Sequence, residues 1–436
     1  MAREQSTPLR QALSRWFPSR QLRELAVAEG VVQRQRRVDP VALFWVVVLG
    51  VGSGGGRTVA ELHRSYEKVT GCRLARSSFY QRFTPAFARF LKRLLTQALE
   101  KIATLRGQGP RLFAEIREVL CVDSTVVRLH DALARRYPAC RTNHTQAAAK
   151  LHVVLNVQGK GPQRVQLTSE RVHDGPVLRA GGWVAGRLLL FDLGYFRYQL
   201  FDAIGRQGGY FLTRLKQNAN PKILTLHRRH RGRAIAVAGR RLGEVEHRLQ
   251  RQVLDVEAEV RFRRRTYRGR RREATLRLRI VGLRDELRNT YHWYITNLPA
   301  EEVSAEEIGK LYGARWMIEL LFRELKSCYH LDSLPSRKAP VVEALLYAAI
   351  LTLIVSHALL AALRQWGRLA DRRTPLERWA RLFRSAAPEL LTLALDPPPM
   401  ARFREQRLLP FLLHQAPDPN RSRVLLLQRA GLQELA

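Results

Sequence analysis

The chain has 436 residues, with 75 Lys and Arg against 38 Asp and Glu, a formal net charge of +37 and a pI near 11.3. That balance excludes an ordinary metabolic enzyme as the first reading and points to a polyanionic partner. A hydrophobic share of 46% still permits a buried core, and the length fits two or three domains. Most of the cations are Arg, whose planar fork matches phosphate oxygens, so nucleic acid is the favoured polyanion. An Arg-rich codon bias accounts for part of the excess of Arg over Lys, but not for the net charge.

The N-terminal stretch carries Arg3, Arg10, Arg15, Arg20 and Arg23 without an intervening apolar run. It lacks the build of a secretory signal, so a cytoplasmic, nucleoid-associated location is expected. Val41 to Val51 is apolar but too short to span a bilayer, and Gly52 and Gly54 to Gly56 end it. Val59, Leu62, Tyr66 and Val69 then recur at helical spacing, Gly71 and Cys72 form a turn, and Ser77 to Phe83 starts a second short helix. That order suits either a helix-turn-helix, with Arg76, Gln81 and Arg82 available to DNA, or a plain helical hairpin.

From about Arg117 the pattern changes to strands: Val119 to Val122 ending in Asp123, Lys150 to Val157, Gln166 to Arg171, Arg187 to Phe191 ending in Asp192, and Tyr210 to Leu215. Together they indicate an α/β or α+β core with a mixed sheet. Between Gln217 and Thr290 the texture is β-rich and basic. Leu254 to Phe262 and Leu276 to Ile280 alternate with polar residues around an Arg-crowded connection from Arg263 to Arg272, which predicts a long antiparallel hairpin in a separate insertion. Trp293 to Thr296 returns the chain to the core. Ser304 and Glu307 form a capping box opening one long helix.

On that helix Tyr312, Arg315, Glu319 and Lys326 project within about 60° of one another at 100° per residue, while Trp316, Ile318, Leu321, Phe322 and Leu325 face a core. A solvated face with ion pairs is the plain alternative. Two strand-terminal acids, Asp123 and Asp192, change the weighing. With Glu319 they make a hard, all-oxygen set suited to Mg²⁺ or Mn²⁺, and a pair of such ions can support in-line phosphoryl displacement. Ala344 to Leu363 carries no formal charge over a bilayer's length, but its Ala content, Ser356 and His357 read as a buried helix rather than a membrane span. Cys72, Cys121, Cys140 and Cys328 form no C-x-x-C pair and have no His at finger spacing, which argues against a zinc module.

Tyr312, Arg315, Glu319 and Lys326 fall on the Y-(2)-R-(3)-E-(6)-K signature, and the chain resembles the insertion sequence four family of bacterial transposases, which are DDE recombinases. Val122 to Thr125 resembles the family's first catalytic block, Phe191 to Phe196 its second, and Trp293 to Pro299 with Leu311 to Ser327 its third. Lys150 to His152 and His173–Asp174 resemble positions between the first two. Leu193 stands where Arg or Ala is more usual, and Ser124 where Gly is frequent.

The resemblance implies an α/β, ribonuclease H-like catalytic core interrupted by a β-rich insertion, with helical N-terminal and C-terminal regions. The stretches would be 1–110 (helical, DNA-binding), 111–216 (core, first part), 217–290 (basic insertion), 291–363 (core, second part) and 364–436 (helical). Glu319 follows Asp192 by 127 residues, while Asp192 follows Asp123 by only 69, which leaves room for the insertion. By carry-over Asp123, Asp192 and Glu319 are the catalytic residues and hold two Mg²⁺ or Mn²⁺ ions, while Tyr312, Arg315 and Lys326 contact DNA. The implied reaction is cleavage at transposon ends, through a 3′-OH nucleophile and a possible hairpin, followed by joining to target DNA. The implied partners are double-stranded DNA and a second copy of the chain in the synaptic complex. Competing readings are a ribonuclease H-like nuclease without strand transfer and a transposase-derived DNA-binding protein without catalysis.

Overall fold

The computed structural model describes residues 8–32, 38–54, 58–106, 116–140, 145–158, 161–228, 235–264, 273–286, 288–332, 334–365, 369 and 374–418. The chain opens with helices α1 (Pro8–Trp16), α2 (Ser19–Ala28), α3 (Pro40–Gly52), α4 (Val59–Thr70), α5 (Arg76–Tyr80) and α6 (Pro85–Arg106). Strands follow: β1 (Glu118–Leu129), β2 (Ala147–Asn156) and β3 (Gly161–Ser169), then α7 (Asp174–Val177), β4 (Arg187–Phe191), α8 (Tyr198–Arg206), β5 (Tyr210–Arg214), β6 (Lys222–Leu226), α9 (Leu242–Val245), β7 (Val253–Arg263), β8 (Glu273–Asp285) and β9 (Thr290–Thr296). Helices α10 (Ala305–Gly313), α11 (Trp316–Ser327), α12 (Ala339–Gln365), α13 (Leu376–Leu395) and α14 (Pro398–Gln415) complete it. The result is a mixed α/β fold with helical flanks.

Two compact units share the chain. One comprises Met1–Glu100, Val127–Ala149 and Leu321–Ala436, the other Lys101–Val126 and Lys150–Leu320. In the first, α12 is the apolar helix anticipated from Ala344 to Leu363. It is long and apolar enough to cross a membrane, yet 83% of that apolar window is buried among helices that include α3 and α13. Its polar atoms are satisfied inside the protein: Thr352 Oγ1 donates to the Val48 carbonyl at 2.6 Å, and the Ser356 carbonyl accepts from Trp379 Nε1 at 3.0 Å. Helices α4 and α5 bear out the expected helical pair. Gly71 ends α4 in the left-handed region at φ 66°, where an L side chain is disfavoured. The second helix is only five residues long, and its Phe79 is buried against Tyr66 with ring centroids 5.6 Å apart.

Nearly all of the nine-stranded sheet lies in the second unit, in the order β3-β2-β1-β4-β5-β9-β8-β7-β6. β1 pairs parallel with β4 and β4 parallel with β5, while β5–β9, β9–β8, β8–β7 and β7–β6 are antiparallel. Two expectations are corrected here. The strand expected to stop at Val122 continues through Asp123 to Leu129; only its pairing with β4 stops there, at Val122↔Phe191. Residues 217–290 are not set apart. Ile295 of β9 pairs with Thr213 of β5 on one side and Ile280 of β8 on the other, so the hairpin β7–β8 prolongs the core sheet within the same unit. The hairpin itself forms as its alternation predicts, with Leu254, Val256, Ala258, Val260 and Phe262 buried. Its Arg-rich tip, 265–272, lies outside the described residues.

Candidate active site

The register of β1 on β4 builds the site. Val122 lies opposite Phe191 in a parallel pair, so the next residue on each strand is an aspartate, Asp123 on β1 and Asp192 just past β4. Parallel neighbours are separated by less than 5 Å, and the Asp192 charge raises the Asp123 pKa. Each carboxylate is oriented by a backbone donor. Ser124 N–H donates to Asp123 Oδ1 at 2.7 Å, and Gly194 N–H donates to Asp192 Oδ1 at 2.7 Å. The latter bond closes the short turn Leu193–Tyr195, and the buried Tyr195 phenol beneath it has its pKa pushed up by burial and by the carboxylates of Asp174, Asp123 and Asp192.

The third acid arrives after the chain returns through β9, the strand beside β5. Asn297 ties the end of β9 to the start of β5, accepting from Phe211 N at 2.8 Å and donating to the Gly209 carbonyl at 2.9 Å. Arg279 on β8 then grips the following turn through the carbonyls of Pro299 at 3.2 Å and Val303 at 2.7 Å. From that turn Ser304 and Glu307 start α10 with the predicted capping box. The single long helix expected there is corrected to two, α10 and α11, separated at Ala314 and Arg315. Across the break the amides of Ala314, Arg315, Met317 and Ile318 bond three residues back instead of four, and the Ala314 carbonyl accepts from the Cys121 thiol at 3.4 Å. Gly313, a weak helix former, immediately precedes it.

Because of that break Arg315 lies between two acids. Its Nη2 is 2.6 Å from Glu319 Oε1 and its Nη1 is 3.7 Å from Asp123 Oδ2. Tyr312, in the last turn of α10, is buried against Tyr294, with ring centroids 5.4 Å apart, and has the guanidinium of Arg214 5.6 Å and that of Arg315 5.8 Å from its ring centre. Burial is the largest influence on Asp123 and pushes its pKa up to about 6. Asp192 and Glu319 push the same way, whereas the Ser124 amide and Arg315 oppose them.

The structure therefore brings together Asp123, Asp192, Glu319, Arg315 and Tyr312, all in the second unit. Lys326 lies on the part of α11 that belongs to the first unit and is not placed among them. One neighbour escaped the pattern of the sequence, Arg214, which ends β5 without any periodic signal; Asp174, singled out only by resemblance and given no role, lies beside the Asp192 turn. A β-carbon on Gly194 would stand 3.0 Å from Asp192 Oδ1 and 3.4 Å from Asp174 Oδ2, so glycine there keeps the space between the two carboxylates open.

The donor set suits a hard divalent cation, being carboxylate oxygen throughout. Among the described residues, no three His, Cys, Asp or Glu side chains stand in a metal-holding arrangement as they lie. The positive charge between Asp123 and Glu319 is supplied by Arg315.

The sheet and helix α11 gather acids from distant parts of a strongly basic chain, an arrangement compatible with a protein that acts on a polyanion, and the comparisons give the class. Residues 115–355, more than half of the chain, match the family described as Transposase DDE domain, and the chain belongs to that family. Its relatives make it an insertion-sequence DDE transposase. It is 22% identical over 395 residues to the transposase for insertion sequence element IS231F of Bacillus thuringiensis subsp. israelensis, covering 83% of this chain and 82% of that one. It is 42% identical over 57 residues to the putative transposase InsL for element IS186A of Escherichia coli K12, covering 13% of this chain and 15% of the relative. Among solved structures, a piggyBac transposase synaptic complex with hairpin DNA aligns with 92% of this chain and 84% of its own, at 10% identity and a TM-score of 0.46.

Proposed function

We propose that this chain cuts double-stranded DNA at the ends of its insertion element and joins the exposed 3′-OH to target DNA, using a ribonuclease H-like core. The observation that carries the reading is the register Val122↔Phe191, which sets Asp123 beside Asp192, together with Arg315 reaching both Asp123 and Glu319. Asp123, Asp192 and Glu319 are the residues that would hold two Mg²⁺ or Mn²⁺ ions. When bound, such ions stabilise charge at a phosphate undergoing in-line displacement and lower the pKa of the attacking water or hydroxyl.

The remaining roles belong to side chains. Arg315 is placed to release its carboxylates and turn to a phosphate oxygen, a geometry its fork favours. Tyr312 lies with its ring under the guanidinium of Arg214, which keeps a second cation at the same place. Lys326, further along α11, is assigned to the DNA backbone. The seat of action is the bacterial cytoplasm, on the nucleoid, and joining two element ends requires two copies of the chain. A net charge of +37 makes binding salt-dependent: with some six to ten phosphates contacted, affinity falls by roughly 10³ to 10⁵ between about 50 and 200 mM salt.

The test uses the full chain and a linear DNA carrying both ends of its element, with Mg²⁺. Asp123→Ala, Asp192→Ala and Glu319→Ala, assayed separately, each abolish cleavage while end binding survives in a gel shift. Cleavage retained by any one of them overturns its assignment. Cleavage without joining of a pre-cut end favours a nuclease, and end binding by the unaltered chain without Mg²⁺-dependent cleavage favours a DNA-binding protein. A strand-specific end label separates a hairpin from a simple nick.

A further inference from the structure

A fourth carboxylate stands beside the acid trio without a part in the proposed chemistry. Asp174 opens the short helix α7, and one of its oxygens, Oδ1, collects three neighbours. Ser124 Oγ donates to it at 2.8 Å, Lys150 Nζ forms an ion pair with it at 3.3 Å, and His152 Nδ1 stands 3.5 Å away. These neighbours are themselves held. Lys150 Nζ donates to the Val172 carbonyl at 2.9 Å, and His152 Nε2 lies 2.9 Å from Thr168 Oγ1. Burial pushes the His152 pKa down to about 4, so at neutral pH Lys150 is the cation that balances Asp174.

Ser124 links this group to Asp123 through two atoms of one residue. Its hydroxyl is fixed by Asp174, and its amide donates to Asp123 Oδ1. With Oδ1 so engaged, the other oxygen of Asp123 is the one turned toward Arg315. An isolated strand aspartate has two side-chain torsions free to wander; here one Asp123 oxygen is engaged by the Ser124 amide, the Ser124 hydroxyl by Asp174, and Asp174 by Lys150. Pre-set ligand orientation of this kind is worth about 10- to 100-fold in metal affinity at other sites.

We propose that Asp174, anchored by Lys150, is a positioning residue that acts through the Ser124 hydroxyl to set the orientation in which Asp123 offers its carboxylate to a divalent cation. This inference rests on the reading of Asp123 as a cation ligand. Asp174 also lies close enough to Asp192 to act by charge alone, since both carboxylates border the space over Gly194. The two modes differ in how substitutions combine: a signal carried through one hydroxyl is lost once, whereas an independent charge effect multiplies with the loss of the hydroxyl.

The experiment is Mn²⁺ binding to the full chain without DNA, read from the electron paramagnetic resonance signal of free Mn²⁺. The unaltered chain binds Mn²⁺ and Asp123→Ala does not. Ser124→Ala, which leaves every charge in place, and Asp174→Asn each weaken binding by about tenfold. The double variant is no weaker than the worse single one, and Ser124→Thr, which keeps a hydroxyl, binds like the unaltered chain. Thermal unfolding in EDTA checks that each variant is folded. Normal Mn²⁺ binding by Ser124→Ala, or losses that multiply in the double variant, overturn the positioning role while leaving Asp123 as a ligand. Failure of the unaltered chain to bind Mn²⁺, or unchanged binding by Asp123→Ala, overturns the ligand reading and this inference with it.

Discussion

Arg315 and Glu319 form an ion pair of 2.6 Å across one turn of helix, and the same guanidinium extends to Asp123 at 3.7 Å. One cation thus faces two of the three acids. On the proposed function, a divalent ion entering there would compete with Arg315 for both carboxylates, and the displaced guanidinium would become available to DNA. Two unit charges about 4 Å apart interact by roughly 4 kcal/mol at an effective dielectric of 20, and partial exposure of these side chains reduces that considerably.

Arg315→Ala is therefore expected to tighten Mn²⁺ binding by about tenfold in the absence of DNA while lowering the rate of end cleavage. Titrating Mn²⁺ into both proteins decides it. Equal or weaker binding by the variant would show that Arg315 does not occupy the cation's place. Arg315→Lys keeps the charge but loses the fork, and should give intermediate binding with poor cleavage.

The raised pKa of Asp123 has a consequence for stability. Its folded value, about 6, lies above the ordinary carboxylate value of 3.8, so ionisation at neutral pH costs more in the folded protein than in the unfolded chain. As pH falls through 6 the folded state takes up a proton that the unfolded chain does not yet bind, and the penalty is lifted by about pH 4. Asp123→Asn removes the penalty, on the order of 3 kcal/mol. The variant should melt higher than the unaltered chain at pH 8 in EDTA, with the gap narrowing between pH 6 and 4. His152 titrates in the opposite sense, since its folded value is depressed to about 4 and its contribution is lost as pH falls, but it is present in both proteins and cancels in the difference. A gap that stays constant from pH 8 to 4 would contradict the burial of Asp123.

How much of this the sequence disclosed depended on whether the determining contacts were local. The run Arg187 to Phe191 is β4 to the residue, because an apolar run ending in Asp-Leu-Gly carries its own stop. The capping box at Ser304 and Glu307 is equally local and forms as read. The continuation of β1 was legible in part, since Thr125, Val127 and Leu129 are buried and alternate with less buried neighbours; an Asp after four apolar residues masked that alternation. The break between α10 and α11 contains no proline, and the thiol that donates to the Ala314 carbonyl lies 193 residues earlier. Gly313 is a local hint, but a single glycine does not by itself end a helix. The insertion read as a separate body because its composition changes, whereas its membership of the sheet is decided by β9 pairing on both edges. Asp174 and Arg214 are likewise gathered by tertiary contacts rather than by spacing.

The pair Arg279–Asp255 yields the last prediction. Both side chains are about 4 to 5% exposed, and the two guanidinium bonds to Asp255 measure 2.8 and 2.6 Å. The remaining donor of Arg279 holds the turn that positions α10, and with it Tyr312, Arg315 and Glu319. Arg279→Met strands a buried carboxylate and frees the turn, so a loss of about 3 to 5 kcal/mol is expected. The double variant Arg279→Met, Asp255→Leu no longer buries an unpaired charge and should regain most of that stability. It should not regain cleavage, because the carbonyls of Pro299 and Val303 remain without their donor. Denaturant unfolding of the three proteins alongside end cleavage separates the two effects. Cleavage restored together with stability would mean that Arg279 acts only through its charge partner and has no part in setting the acid-bearing helix.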